Sequence, residues 1–382
     1  MRIVFTIGTS TGGVGTHVHA LARDLAAAGH EIGVIGPAAT DEHFGFSLLP
    51  GVRFGVLELG TGIGPSDAAL VRRQRTLLRS FSPQIVHAHG FRAGLITLLT
   101  LRTLKTRPKF VLSLHNQASG QGLRGRVETR VETMLARGAD LVLGASTDLV
   151  DRARELGAHA ARFLPAAAPE VTQVSAEAAA AKRVALAEEF DFDPGALIVL
   201  AVGRVAEQKN YPMLVRALAR LGEENHQGEI VALIAGAADE EVLADVRAQY
   251  DAAAAASAIP ALHFLGPRDD IAELAAAADI YALTSVWEAR ALVLQEALIS
   301  GKAIVATATG GSAELVGDAG ILIDHDDDAA FAAAVAELAV DPARRAELGA
   351  RARARGGELP DEREVAEELA GLYTELVPAQ VG

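Results

Sequence analysis

Three stretches of the chain carry residue types suited to chemistry on a phosphate-linked ligand. Gly203-Arg204-Val205-Ala206-Glu207-Gln208-Lys209 follows the apolar run Leu197–Val202 and sets two cations five positions apart. A strand end turning toward a helix presents backbone N–H groups, and a nearby Arg and Lys add full charges suited to phosphate oxygens. Further on, Thr284-Ser285-Val286-Trp287-Glu288 leads into Ala289-Arg290-Ala291-Leu292-Val293, with Glu288 and Glu296 eight residues apart. The pattern predicts a helix starting near Arg290, the first acid in the loop before it and the second about two turns inside. A helical spacing of that length is roughly 12 Å, well beyond the roughly 5 Å between the paired carboxylates of a retaining hydrolase. Acids so placed suit the two ends of one long ligand, a sugar and a ribose diol, with a dianionic bridge facing the helix start between them. The turn Thr307-Ala308-Thr309-Gly310-Gly311-Ser312 also joins an apolar strand to a helix and suits either close backbone approach to a phosphate or packing. Taken singly, each stretch reads equally as solvated surface charge or as a structural turn.

Histidines form a second set. His17 and His19, two apart in a presumed helix, face different directions and make a poor metal pair. His87 and His89, two apart at a strand end, share one face; with no third ligand evident, an acceptor-side or packing role is expected rather than a metal. Leu70 to Arg79 mixes basic and apolar residues at helical spacing. Together with Arg102, Lys105, Arg107 and Lys109 it reads either as a solvated face or as a surface for an anionic membrane or phosphate-bearing acceptor.

The elements that must position these residues follow from hydropathy. With 382 residues, the chain is long enough for two hydrophobic cores. Strand-length apolar runs alternate with helix-period segments throughout, which predicts parallel sheets covered by helices. Arg2–Gly8 running into Gly12-Gly13-Val14-Gly15 opens one half, and Leu197–Gly203 running into Arg204 opens the other. Further strands are expected at Glu31–Ile35, Gln84–His87, Lys109–Leu114, Asp140–Leu143, Glu229–Ala235, Leu262–Leu265, Ile280–Leu283 and Ala303–Ala306. Val14, Val18, Leu21 and Leu25 predict a helix ending at Gly29, and Glu364–Leu376 an amphipathic helix crossing back onto the first half. The expected division is an N-terminal domain over 1–168, a linker over 169–194 whose alanine run is either linker or helix, a second domain over 195–360, and the returning helix over 361–382. Two open parallel sheets place ligands at their strand C-terminal ends, which here predicts one shared cleft.

Composition narrows the chemistry. Aromatics are 4 % of the chain, so sugar stacking on aromatic platforms is not the expected mode and polar groups carry recognition. The absence of cysteine excludes disulfides and thiolate metal sites and fits a reducing, cytoplasmic setting. The apolar start reads as a buried strand, not a signal peptide. No stretch has the about 18 uninterrupted apolar residues of a membrane span. Net charge is −14, but residues 1–165 carry 19 Lys and Arg against 12 Asp and Glu, the remainder 16 against 37. The first half thus suits an anionic acceptor or membrane surface; no nucleic-acid partner is expected.

In this order, Gly12-Gly13-Val14-Gly15, His87-Ala88-His89, His115, Gly203-Arg204 with Lys209, the Gly266 turn, Glu288 through Glu296, and Gly310-Gly311 resemble the retaining GT-B glycosyltransferases of family 4. The resemblance covers nearly the whole chain. It implies an α/β GT-B fold, two Rossmann-like domains facing a central cleft, and a nucleotide diphosphate sugar of UDP or GDP type as donor. That donor is a substrate, and neither cofactor nor metal is implied. By resemblance, Arg204 and Lys209 bind the diphosphate, Glu296 the ribose hydroxyls, and Glu288 lies by the donor sugar. Gly12, Gly13 and Gly15 approach the phosphates, His115 stands beside the reacting sugar, and backbone at Pro267 and Arg268 meets the base. Ala291, Leu292 and Val293 complete the binding set. The acceptor is a glycan, a lipid-linked molecule or a small molecule. Two departures stand out. Ala289-Arg290-Ala291 replaces the family's Gly-Phe-Gly, so that Arg290 either contacts the diphosphate or an acidic sugar, or points to solvent or an acid. Ala166-Ala167 stands near the usual Asn-Gly. A dinucleotide-dependent oxidoreductase is disfavoured because Gly12-Gly13-Val14-Gly15 is not Gly-x-Gly-x-x-Gly. A non-catalytic nucleotide-sugar binder and an epimerase of the same fold are the remaining alternatives.

Overall fold

A computed structural model of the chain describes residues 1–10, 12–60, 62, 64, 66–116, 122–167, 171–224 and 230–378, the side chains of 122–124 excepted. The chain forms two compact units, Met1–Pro169 with Pro360–Gly382, and Glu170–Leu359.

The first unit is built on strands β1 (Arg2–Ile7), β2 (Glu31–Gly36), β3 (Val52–Val56), β4 (Ile85–His89), β5 (Lys109–Leu114), β6 (Leu141–Gly144) and β7 (Ala161–Phe163). They pair in parallel in the order β3-β2-β1-β4-β5-β6-β7. The crossovers carry helices α1 (Gly13–Ala27), α2 (Ala38–Phe44), α3 (Asp67–Phe81), α4 (Phe91–Leu101), α5 (Gly122–Gly138) and α6 (Thr147–Glu155). The second unit repeats the plan with β8 (Leu197–Val202), β9 (Ile230–Ala235), β10 (Ala261–Gly266), β11 (Ile280–Leu283), β12 (Ala303–Thr307) and β13 (Ile321–Ile323), ordered β10-β9-β8-β11-β12-β13. Its helices are α7 (Ala176–Phe190), α8 (Tyr211–Glu223), α9 (Glu240–Ala256), α10 (Ile271–Ala277), α11 (Leu292–Ser300), α12 (Ser312–Val316), α13 (Asp328–Val340) and α14 (Pro342–Gly356).

Strand alternation explains why helices cover both faces. On β8, Leu197, Val199 and Ala201 join one apolar cluster, while Ile198, Leu200 and Val202 join the cluster on the opposite face. A strand buried on both sides must read as an unbroken apolar run, and β8 does. In each unit the strand order reverses beside the first strand, between β1 and β4 and between β8 and β11. The strand C-terminal ends at such a switch point open a crevice.

The last helix, α15 (Glu362–Leu376), belongs to the first unit. Asp361 starts it with a capping box: the Glu364 amide donates to Asp361 Oδ1 at 2.8 Å, and the Asp361 amide donates to Glu364 Oε2 at 3.1 Å. Val365, Ala366, Leu369 and Tyr373 pack into the cluster that holds Ile3, Phe5, Val18 and Leu21.

The stretch 169–194 contains α7, which takes in the alanine run and is capped by Ser175, whose Oγ accepts from the Ala178 amide at 3.2 Å. Leu186 and Ala187 are buried in the second unit's core, and Arg183 pairs with Asp279 at 3.0 Å, so α7 is packed rather than extended. Ala168, Pro169 and Glu170, around the expected boundary, lie outside the described residues, as does Glu229 at the expected start of β9. Among the described residues no helix is long and apolar enough to cross a membrane.

Candidate active site

In the second unit the groups gather at the ends of β8 and β11. After β8 the chain turns through Gly203-Arg204 into a short 3-10 turn, Glu207–Lys209, and Asn210 in left-handed conformation starts α8. Arg204 is exposed and forms no ion pair among the described residues. Lys209 Nζ lies 2.6 Å from Glu288 Oε1, in the loop after β11. Ser285 Oγ donates to the same carboxylate oxygen at 2.8 Å. Two further hydrogen bonds lock the two loops: the Val286 amide donates to the Gln208 carbonyl at 2.9 Å, and Thr284 Oγ1 donates to the Lys209 carbonyl at 2.8 Å.

A third loop, after β12, closes on the same place. The Gly311 amide donates to the Glu288 carbonyl at 2.8 Å. Gly310 has φ +52°, and a Cβ there would run into the Glu288 carbonyl oxygen and lie 2.7 Å from Trp287 Nε1. Only glycine allows this approach. Thr307 Oγ1 donates to the Ser285 carbonyl at 2.6 Å from the end of β12.

Helix α11 begins at Leu292, with Ala291 as N-cap, close to the start expected near Arg290. Residues 288–291 form a non-helical loop, so the roughly 12 Å helical spacing does not describe Glu288 and Glu296. Instead Glu296 stands just beyond the first turn of α11. The amides of Leu292 and Val293 are the donors a helix start leaves without partners, and the helix dipole adds partial positive charge there. Glu296 is half-buried, and burial pushes its carboxyl up to about 7. Beneath the loops lie two buried tyrosines. Tyr211 OH donates to the Gly203 carbonyl at 3.1 Å. Burial and the Glu288 charge raise the Tyr211 phenol, and burial followed by the Glu296 charge raises that of Tyr281. The tyrosines thus place Arg204's turn, Glu288 and Glu296 around one end of the β8–β11 pair.

Arg290 does not point to open solvent. It is largely buried with Nε unpartnered, and burial lowers its guanidinium to about 10 against the opposing pull of Glu314. Glu314 on α12 is the acid whose charge acts on it. Arg268 is held sideways by Asp270, with Nε to Oδ1 at 2.8 Å and Nη2 to Oδ2 at 2.7 Å, and Asp270 also takes Lys182 of α7. Its side chain is thereby committed, leaving the backbone at exposed Pro267 and half-buried Arg268 as the available surface.

In the first unit, Gly12 caps α1 and is exposed with Gly13, and the helix leaves the first-turn amides of Gly13 and Val14 uncommitted. Gly15 lies inside the first turn of α1. It is buried, and a Cβ there would enter the Phe44 ring, so packing of α1 on α2 accounts for this glycine. The expected histidines converge. His87 and His89 stack with ring centroids 4.2 Å apart, and His89 Nδ1 lies 3.0 Å from His115 Nε2. His17 of α1 meets His89 and His115 edge-on at 5.9 and 6.0 Å, whereas His19 turns to Phe46. His87 bridges Ser113 Oγ at 2.7 Å and Tyr373 OH of α15 at 2.6 Å. Burial holds all four rings neutral, His17 down to about 3 and His115 to about 4. Among the described residues no group of three or more His, Cys, Asp or Glu is arranged to hold a metal ion.

A group of basic residues of this unit lies at the other end of the sheet. Arg2, Arg79, Lys105, Arg107 and Lys109 line a groove of about 1180 Å³ at the strand starts. Arg107 and Lys109 there each stand 3.4 Å from Asp140, while Arg72 and Arg73 are exposed on α3.

A family model described as "Glycosyl transferase 4-like domain" matches residues 12–167, and one described as "Glycosyl transferases group 1" matches residues 184–355. The chain belongs to the family-4 type of GT-B glycosyltransferases. A D-inositol 3-phosphate glycosyltransferase of Corynebacterium kroppenstedtii is 27 % identical over 89 % of this chain and 80 % of its own length. A glycogen synthase of Mycobacterium tuberculosis is 28 % identical over 95 % of this chain and 91 % of its own. Among solved structures, HepE of Anabaena in complex with UDP has a TM-score of 0.81 at 20 % identity, covering 98 % of this chain and all of that one. Sucrose-phosphate synthase of Thermosynechococcus elongatus has a TM-score of 0.80 at 21 % identity, over 99 % of this chain and all of that one. The fold of this glycosyltransferase is thereby matched over both units.

Several groups of the candidate site were not singled out by sequence. Ser285 and Thr284 lie beside Glu288 in the chain, but a hydroxyl next to an acid carries no sign that it will bond that acid. Tyr211 and Tyr281 are two of four tyrosines, one at a helix start and one inside a strand. Their spacing of 70 residues is silent about their meeting.

Proposed function

We propose that this enzyme transfers a glycosyl group from a nucleotide diphosphate sugar, of UDP or GDP type, to a glycan, lipid-linked or small-molecule acceptor with retention of anomeric configuration and without a metal. The observation that carries the reading is the Lys209–Glu288 contact at 2.6 Å, beside exposed Arg204 and the start of α11. Lys209, Arg204 and the Leu292 and Val293 amides are the groups that would meet a diphosphate as it departs with growing negative charge. Glu288, positioned by Ser285 and Lys209, holds the donor sugar, and Glu296 accepts from the ribose diol. A departing phosphate oxygen takes the acceptor proton on the same face, so no carboxylate base is required. His115 stands beside the reacting sugar, and the glycines at the start of α1 are the groups that would meet the phosphates. The cationic groove at the strand starts of the first unit suits an anionic membrane or a phosphate-bearing molecule, in keeping with the phosphate in the Corynebacterium enzyme's name.

The test is a thermal-stability screen with UDP, GDP, ADP and their sugars, since selective binding raises the melting temperature. One nucleotide series is expected to stabilise the protein, and Lys209→Ala or Glu296→Ala to abolish that shift. Wild-type shifts in both variants contradict the donor assignment. Turnover unchanged by EDTA, with the product in the donor's anomeric configuration, is the expected outcome for the enzyme.

A further inference from the structure

His89 is buried at the end of β4 and makes one hydrogen bond, from Nδ1 to His115 Nε2 at 3.0 Å; its Nε2 is fully enclosed and has no partner among the described residues. Both rings are neutral because burial depresses them, so the contact holds a single proton. Two arrangements are available. In one, His115 Nε2–H donates to His89 Nδ1. His89 must then carry its own proton on Nε2, an N–H enclosed without an acceptor. In the other, His89 Nδ1–H donates to His115 Nε2. His89 Nε2 is then a bare lone pair, and His115 carries its proton on Nδ1. Orphaned buried N–H groups are rarer than under-used acceptors, which favours the second arrangement. The surroundings support it. His17, His87 and His115 are the titratable rings around His89, none of them charged, and Phe5 packs against both His87 and His89. His87 has both nitrogens committed, to Tyr373 and Ser113, so it holds the stack in place without competing for the proton.

We propose that His89 is a positioning residue that fixes His115 as the Nδ1–H tautomer, so that His115 presents a hydrogen-bond donor, not a general base, to the reacting sugars. This rests on the reading of His115 as a substrate-facing residue. A donor there binds a sugar hydroxyl or oxygen and cannot take the acceptor's proton, which agrees with a phosphate oxygen taking it.

The experiment combines imidazole nitrogen NMR on 15N-histidine-labelled full-length protein with kinetics. His115 is assigned by its loss in His115→Ala. At neutral pH its proton is expected on Nδ1. It stays there in His89→Asn, whose amide N–H can replace the Nδ1–H donor, and becomes mixed in His89→Leu. His89→Leu is expected to lower kcat by about tenfold or more through lost orientation, with nucleotide binding unchanged and His89→Asn recovering most of the rate. A wild-type His115 protonated on Nε2 overturns the proposal, and this spectrum decides even if His89→Leu does not fold. His115→Ala abolishing transfer while His89→Leu leaves kcat within about twofold overturns the proposal alone. Transfer unaffected by His115→Ala removes the underlying reading of His115 instead.

Discussion

In the proposed donor site, Glu296 is the residue whose protonation state bears most on recognition. A carboxyl held up to about 7 by burial is only partly ionised at neutral pH, and a ribose diol is bound best by the ionised form, which accepts two hydrogen bonds. Ligand hydroxyls stabilise the charged form and pull the pKa down, so donor binding releases a proton. The affinity for the nucleotide is therefore expected to rise between pH 6 and pH 8, approaching tenfold per unit on the acid side and levelling above about 7. Titration calorimetry in buffers of different ionisation enthalpy measures both the trend and the proton release. Affinity flat across that range in wild type, or a trend retained in Glu296→Gln, contradicts the role. Without a ligand the sign for stability is opposite: the folded state holds this proton up to about 7 and the unfolded chain only to about 4.5, so this group's contribution declines as pH rises between them.

Among the elements, the loops after β8, β11 and β12 act as one frame, and Gly310 is where it is tightest. Gly310→Ala must displace the Glu288 carbonyl or break its bond to the Gly311 amide, and its φ of +52° adds strain for any side chain. The expected result is a loss of about 1–3 kcal/mol of stability with a fall in turnover disproportionate to it, because the shift is delivered to the carboxylate that Lys209 and Ser285 hold. Unfolding midpoints and kcat measured on the same preparation check this; full activity in a destabilised protein counts against the frame. The elements also show what the chain made legible. Central strands β1, β4, β5, β8, β9, β11 and β12 are buried on both faces and stand out as apolar runs. The three strands that hydropathy did not reveal, β3, β7 and β13, are edge or near-edge pieces with mixed burial, such as Val52-Arg53-Phe54-Gly55-Val56, and only pairing with a neighbour makes them strands. Arg204, Lys209, Glu288 and Glu296 were visible because they sit at the ends of those strong runs. The place of Glu296 just beyond the first turn of α11 was not, because the non-helical loop before the helix is fixed by Gly310-Gly311, far along the chain.

At the scale of the whole molecule, charge and protonation separate the two units. By sequence halves the charge runs from +7 to −21. In the fold, however, the acidic α15 returns to the first unit, leaving it with 20 Lys and Arg against 18 Asp and Glu, while the second carries 15 against 31. The positive charge that would attract an anionic partner is therefore local, gathered in the groove at the strand starts of the first unit, not a property of its net charge. The first unit also contains the four neutral histidines. Their folded pKa values lie below the unfolded value near 6.5, so the unfolded chain binds more protons as pH falls from 6.5 toward about 4 for His115 and about 3 for His17. Each such group costs about 1.4 kcal/mol per pH unit in that window and nothing above it. Melting at pH 7.5, 6.5, 5.5 and 5 is expected to show a steep loss confined to the lower values, and a flat profile from 7.5 to 5 contradicts the burial of these rings.

The measurement that bears most directly on donor binding is hydrogen–deuterium exchange with and without the nucleotide diphosphate selected by the stability screen. Slowed exchange is predicted in residues 203–210, 284–296 and 310–312, the three loops and the start of α11. Exchange unchanged in those segments under saturating nucleotide, with protection appearing elsewhere, contradicts a donor site built on Arg204, Lys209, Glu288 and Glu296.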